Sequence, residues 1–177
     1  MAVTREAAAA VGVHGHLTLT VVGPDGRIRD RRAGENIVCT AGYTQIAAAL
    51  VWAGIQDQAS TLGITAPTFL TPLYGAVGSG AGTVAKADTA LFTELSRQPV
   101  GAAGSTPASV SVAAAATWLF YFPNPAATWT VTEAGVFAGA TSTVNGGSMM
   151  DHWAFSPSVT VTTAESLILQ LSFTFGP

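Results

Sequence analysis

The chain has 177 residues, about the size of one ordinary domain and enough to bury a core without disulfides or metals. Charged residues make up 10% of it and apolar residues 49%, and the net charge is −3, so the basic balance of a nucleic-acid binder is excluded. So little charge covers a free surface poorly, and part of the exterior is expected to be hidden against partners.

Residues 1–14 read as an N-terminal arm and 15–177 as a single β domain. Met1 to Val13 is small and Ala-rich, with Thr4 placed to cap a short helix over Arg5 to Ala10. A helix that short is marginal in water and is expected to order only against another surface. Glu6 beside Arg5 and the lack of an apolar h-region argue against a signal peptide, and Ile46 to Ile55 is about half the length a bilayer needs, so the chain reads as soluble and unexported.

From Gly15 the pattern becomes alternating. His16 to Val21 reads as a strand, Gly23-Pro24-Asp25-Gly26 as a turn, and Arg27-Ile28-Arg29 as the returning strand of a hairpin. Four of the seven basic residues, Arg27, Arg29, Arg31 and Arg32, gather here beside Asp25, Asp30 and Glu35. The mixed signs favour a solvated hairpin or a protein contact over phosphate binding.

Asn36 to Cys39 reads as a further strand. Cys39 has no second cysteine to pair with and is expected to pack as a small hydrophobe. Thr40 is placed to cap a helix over residues 41–53, in which Tyr43, Ile46, Ala47, Leu50 and Val51 form an apolar stripe for one sheet face, with Gly54 as its stop. Gln56 to Thr71 reads as an irregular connection, Leu73 to Val77 as a strand, Gly78-Ser79-Gly80-Ala81-Gly82 as a flexible turn, and Asp88 to Leu95 as a short helical or irregular stretch.

Beyond Gln98 everything reads as β: Ser109 to Phe122, Trp129 to Phe137, and Met149 to Phe155, with corners at Asn145-Gly146-Gly147 and Ser156-Pro157. The last strand is the clearest, since Leu167, Leu169, Leu171, Phe173 and Phe175 alternate with Ile168, Gln170, Ser172 and Thr174. Short strands, frequent turns and a single helix give a mainly β fold, an antiparallel β-sandwich or jelly-roll-like arrangement.

Chemistry is sparse. Gly78, Gly80 and Gly82 follow a strand, but the third glycine comes too early for a dinucleotide fingerprint, and Lys86 lies between alanines and not in a Gly-Lys-Ser/Thr ending. His14 and His16 share a strand face and would need His152 or Asp151 as a third ligand, so two solvated histidines are the simpler reading. No Gly-x-Ser-x-Gly elbow marks a serine nucleophile. Glu94 and Glu133 stand in apolar surroundings where a carboxyl can act as a general acid; pairing of Glu94 with Arg97, and of Glu133 with backbone amides at Gly135, is the structural alternative and the preferred one. No catalytic residue, metal or cofactor is expected. Trp118, Tyr121, Trp129 and Trp153 would suit a carbohydrate-binding fibre tip if exposed together, but period-two placement assigns them to the core.

Three stretches together resemble small virion proteins of tailed bacteriophages: Asn36 to Gly42 running into Ile46-Ala47; Gly78 to Thr83 with Asp88 to Leu91 and Glu94 to Arg97; and Trp129 to Phe137. The closing β-formers from Met149 to Phe175 are similar too, while the Ala-rich arm and the scarcity of lysine depart from the pattern. The resemblance implies a non-enzymatic structural component of the virion, among head decoration, tail, baseplate or fibre proteins, with no catalytic residues to carry over. Of these places the capsid exterior is favoured, as a decoration or cement protein that stabilises the shell. The expected partners are further copies of the chain, with a trimer as the leading closed form, and the major capsid protein or another virion protein, without membrane or direct nucleic-acid contact.

Overall fold

A computed structural model of the chain describes residues 12–55, 73–102, 109–111 and 115–176. The Thr4 cap with its helix, the connection Gln56 to Thr71 and the stretch 103–108 lie outside these residues. The described elements are, in order, β1 (Gly12–Val22), β2 (Ile28–Val38), α1 (Thr40–Ile55), β3 (Tyr74–Gly78), β4 (Glu94–Pro99), β5 (Ser109–Ser111), β6 (Ala115–Phe122), β7 (Trp129–Ala138), β8 (Ser148–Val161) and β9 (Ser166–Gly176). Among the described residues the fold is mainly β with one helix, as the alternation and turn chemistry indicate. Gly12, Val13 and His14, grouped with the arm by composition, already belong to β1.

One antiparallel sheet runs β4-β3-β7-β8-β2-β1-β9-β6-β5, bent so that its halves face each other and nearly close into a barrel. The bend is at the β2–β8 seam, where only Ile37 and Val38 pair with His152 and Asp151. Between the halves lie Leu17, Leu19 and Val21 of β1, Phe120 and Phe122 of β6, Val159 and Val161 of β8, and Leu167, Leu169, Leu171 and Phe173 of β9, all at most 1% exposed. Full burial of each such side chain is worth roughly 1.5–3 kcal/mol, so the alternating face of β9 fixes its register against β1: a one-residue slip would turn all four of its apolar side chains outward. That register runs unbroken from Gly12 opposite Gly176 to Val22 opposite Ser166.

Because β8 meets β2 only at its end, the outer edge of β2 from Ile28 to Asn36 has no neighbouring strand among the described residues. An open edge invites pairing with other chains, and natural sheets blunt such edges with charge. The arginine cluster falls on this edge. Arg29 pairs with Glu165, Arg32 with Asp30 at 3.3 Å, and Arg27 with Asp25 at 3.7 Å. The Asp25 carboxylate also accepts from the Arg27 amide within the hairpin turn.

From Glu133 onward β7 is buried on both faces. A register shift at Thr132 passes the core face from Val131 to Ala134, Val136 and Ala138. Glu133, Gly135 and Phe137 then face a second, smaller cluster with Cys39, Ala76, Leu91, Ala140 and Met149. The segment between β3 and β4 closes over this cluster as turns and bends without helix, and β4 already begins at Glu94.

Two further expectations are corrected. The Thr40 hydroxyl donates to the Lys86 carbonyl instead of capping α1, whose first turn closes through the Cys39 carbonyl and the Tyr43 amide. Tyr43 and Ala47 of the expected inward stripe are exposed; the helix meets β8 through buried Gly42, where a methyl group would strike the Met150 carbonyl, and Ile46 packs against the main core. Ser156-Pro157 is a corner only in a limited sense: β8 runs through it, and the residues between Ala154 and Val159 bulge out of the β7 ladder.

Candidate functional site

The polar groups that gather in this protein do so in the second cluster. Glu133 is fully buried on β7, and its neighbour on β8, His152, is buried with it because Gly135 pairs with His152 on the same face. Glu133 Oε1 accepts from the Gly80 amide at 2.9 Å and the Thr93 amide at 2.8 Å; Oε2 accepts from the Phe92 amide at 2.9 Å and faces His152 Nε2 at 3.0 Å. His152 Nδ1 faces Asp88 Oδ2 at 2.6 Å. Each ring nitrogen thus meets a carboxylate oxygen. The Phe92 ring covers the imidazole, with centroids 4.9 Å apart.

This geometry explains the glycine run. A Cβ on Gly78 or Gly80 would lie 2.5 Å from Glu133 Oε1, so both positions must be bare for the carboxylate to reach the backbone. The loop does cradle an anion with main-chain amides, as glycine-rich loops cradle phosphate, but the anion belongs to the protein itself. The expected partners of Glu133 at Gly135 are therefore wrong. Gly135 lies in mid-strand, and the amides come from Gly80, Phe92 and Thr93.

Glu94 and Arg97 do pair, at 2.6 and 2.7 Å, with both side chains buried. Three residues apart on a strand they would point to opposite faces; a bulge at Leu95, where Val77 pairs with Ser96 but Gly78 with Glu94, brings them to one side. Arg97 also donates to the Thr141 and Gly146 carbonyls and lies over the Phe137 ring, and Glu94 accepts from the Asn145 amide. The pair thereby ties β4 to the turn before β8.

Asp151, beside this region, accepts from the Val136 amide at 3.0 Å, while its other oxygen is buried without a partner. Burial pushes its carboxyl well above the usual range, against the pull of that amide. Burial, with the charges of Asp151 and Asp88, pushes the Cys39 thiol up to about 12, so Cys39 is an inert packing group, not a nucleophile. Glu165 is shifted the other way: the Thr162 amide, then Arg29 and the Thr162 hydroxyl, hold its carboxyl below the usual range despite burial.

His14 and His16 share an exposed face of β1, whereas His152 and Asp151 are buried, so the four do not converge. Among the described residues no three His, Cys, Asp or Glu side chains are placed to hold a metal ion. Trp153 is buried against Phe155, and Trp118 packs edge-on against Phe173. The sequence signals Glu133 as unusual, but the roles of Asp88 and His152 arise only from folding of the loop. No protein-family model matches this sequence, and no curated protein matches it.

Proposed function

We propose that this chain is a non-enzymatic structural protein of a tailed-bacteriophage virion, acting by protein–protein contact as a capsid decoration protein. The observation that carries the contact reading is α1. Across Thr40–Ile55 the helix contains no charged residue, yet Tyr43, Thr44 and Ala47 are exposed. A charge-free helix that exposes Tyr43 and Ala47 beside Thr44 is better covered by another protein than by water, so its outward side is read as a contact surface. The chemistry of the buried cluster supports the same reading, since each strong acceptor of Glu133 is used to hold the β3–β4 segment and the only cysteine is sealed. The virion assignment rests on the resemblance of the three sequence stretches. The test is copy number per particle by quantitative mass spectrometry of purified virions. Hundreds of copies support the shell position, a dozen or fewer move the protein to the tail, and absence from the particle overturns the virion reading.

A further inference from the structure

The outer edge of β2 is bounded at both ends. Arg29 reaches over it to the Thr160 carbonyl and Glu165, and at Ile37 the edge is taken up by the ladder with His152. Between these lie residues 30–36, centred on Ala33, with no neighbouring strand on that side among the described residues. The Cys39 amide donates to the Met150 carbonyl, toward β8, so by the alternation of a strand the main-chain groups of Arg31, Ala33 and Glu35 point to the open edge. The same three side chains are exposed, and neither Arg31 nor Glu35 forms an ion pair with a described residue.

We propose that this edge pairs with the same edge of a second copy, antiparallel about a twofold axis at Ala33, so that one sheet runs through both chains. An isologous contact requires every side chain to suit its opposite number, and this register does so. Ala33 lies opposite Ala33, and Arg31 of each copy lies opposite Glu35 of the other, with both main-chain bonds exchanged at each of these pairs. On the inner side, shared with Leu17 and Leu19 of β1, Arg32 lies opposite bare Gly34, and Asp30 opposite uncharged Asn36. The two Arg32 side chains are diagonal neighbours, but each is held by Asp30 of its own strand at 3.3 Å. Moving the axis to Arg32 or to Arg31 sets an arginine against its own image. Moving it to Gly34 puts Arg31 opposite Ile37, whose edge is already paired. The charges that close this edge to chance partners thus admit one register of the chain itself. Exposed ion pairs add little strength, so the main-chain bonds hold the dimer and the charges set its register. The contact uses neither α1 nor the buried cluster, and it does not depend on where the protein assembles.

The test is sedimentation equilibrium of the full chain, with Arg31 and Glu35 changed singly and together. The unaltered chain should form a dimer. Glu35→Arg, which sets arginine against arginine twice, should weaken it at least about tenfold, and Arg31→Glu combined with Glu35→Arg should restore most of the affinity. Both side chains are exposed, so the far-UV circular dichroism of all three proteins should agree. Ala33→Cys reads the axis directly: with Cys39 sealed in the core, mild oxidation should link two copies through position 33, whereas Thr20→Cys on β1 should not link. A monomer or a trimer at high concentration, a dimer that Glu35→Arg leaves intact, a double exchange that fails to restore it, or equal linking at positions 20 and 33 would overturn the assignment.

Discussion

Replacing Glu133 by glutamine changes one heavy atom in the most enclosed part of the molecule and tests whether its carboxylate pins the β3–β4 segment. The side chain is fully buried and holds three backbone amides and His152. Glutamine can keep its carbonyl oxygen on Gly80 and Thr93, but both bonds lose their charge, about 1 kcal/mol each. Its NH₂ then faces the Phe92 amide and His152. A ring with its proton on Nδ1 accepts at Nε2, but the Phe92 amide cannot accept, and an orphaned buried donor costs about 1–3 kcal/mol. The sum is about 3–5 kcal/mol, a large share of the roughly 5–15 kcal/mol of a typical domain. Urea unfolding gives the stability change, and native-state hydrogen exchange gives its location: the Gly80, Phe92 and Thr93 amides should lose protection while those of β9 change only with global stability. A loss under 1 kcal/mol, or unchanged protection at the three amides, would refute the reasoning.

Asp151→Asn should raise stability at neutral pH and flatten its pH dependence. Because the folded-state carboxyl titrates above its unfolded value, its contribution is fully present below the ordinary aspartate range and declines above it, by up to about 1.4 kcal/mol per pH unit, until the folded group itself ionises; an unchanged slope between pH 5 and 8 would count against a protonated Asp151. Cys39, with its thiol pushed up to about 12 and no exposed surface, should resist iodoacetamide at pH 8 in the folded protein and react after denaturation, as mass spectrometry would show. Gly75→Ala would drive a methyl group into the buried Phe120 ring and should cost about 1–3 kcal/mol in chemical denaturation, whereas a stabilised variant would show that the ring yields.

The main core was legible because it follows period two: the inward residues of β1 and β9 are spaced as the sequence displays them, and one strictly alternating strand suffices to orient its neighbours. The second cluster was not. Thr132 and Leu95 each add a residue that reverses the face of everything beyond, and neither residue carries a signal that distinguishes it from ordinary strand. Glu133 therefore looked like an acid near a turn, and Glu94 with Arg97 looked like a helical pair that happened to be right for a strand reason. The extent of the helix is legible in the sequence to within two residues, but its inward side is not, because its apolar residues spread around the circumference without forming one stripe. The glycine run departs from the nucleotide-loop spacing, and the use the fold makes of it depends on a carboxylate more than fifty positions from Gly80.

The pairing of β1 with β9 also sets an order of events during synthesis. β1 leaves the ribosome early, yet one of its two ladders waits for Ser166–Gly176, nearly the whole described chain later. At roughly 5–20 residues per second that delay is about seven to thirty seconds. Throughout it, β1 has only the β2 ladder beside it in the sheet. The nascent domain therefore cannot present its finished surface until the ninth strand has docked, and a truncated product would keep an apolar strand uncovered, the kind of exposure that chaperones and proteases recognise.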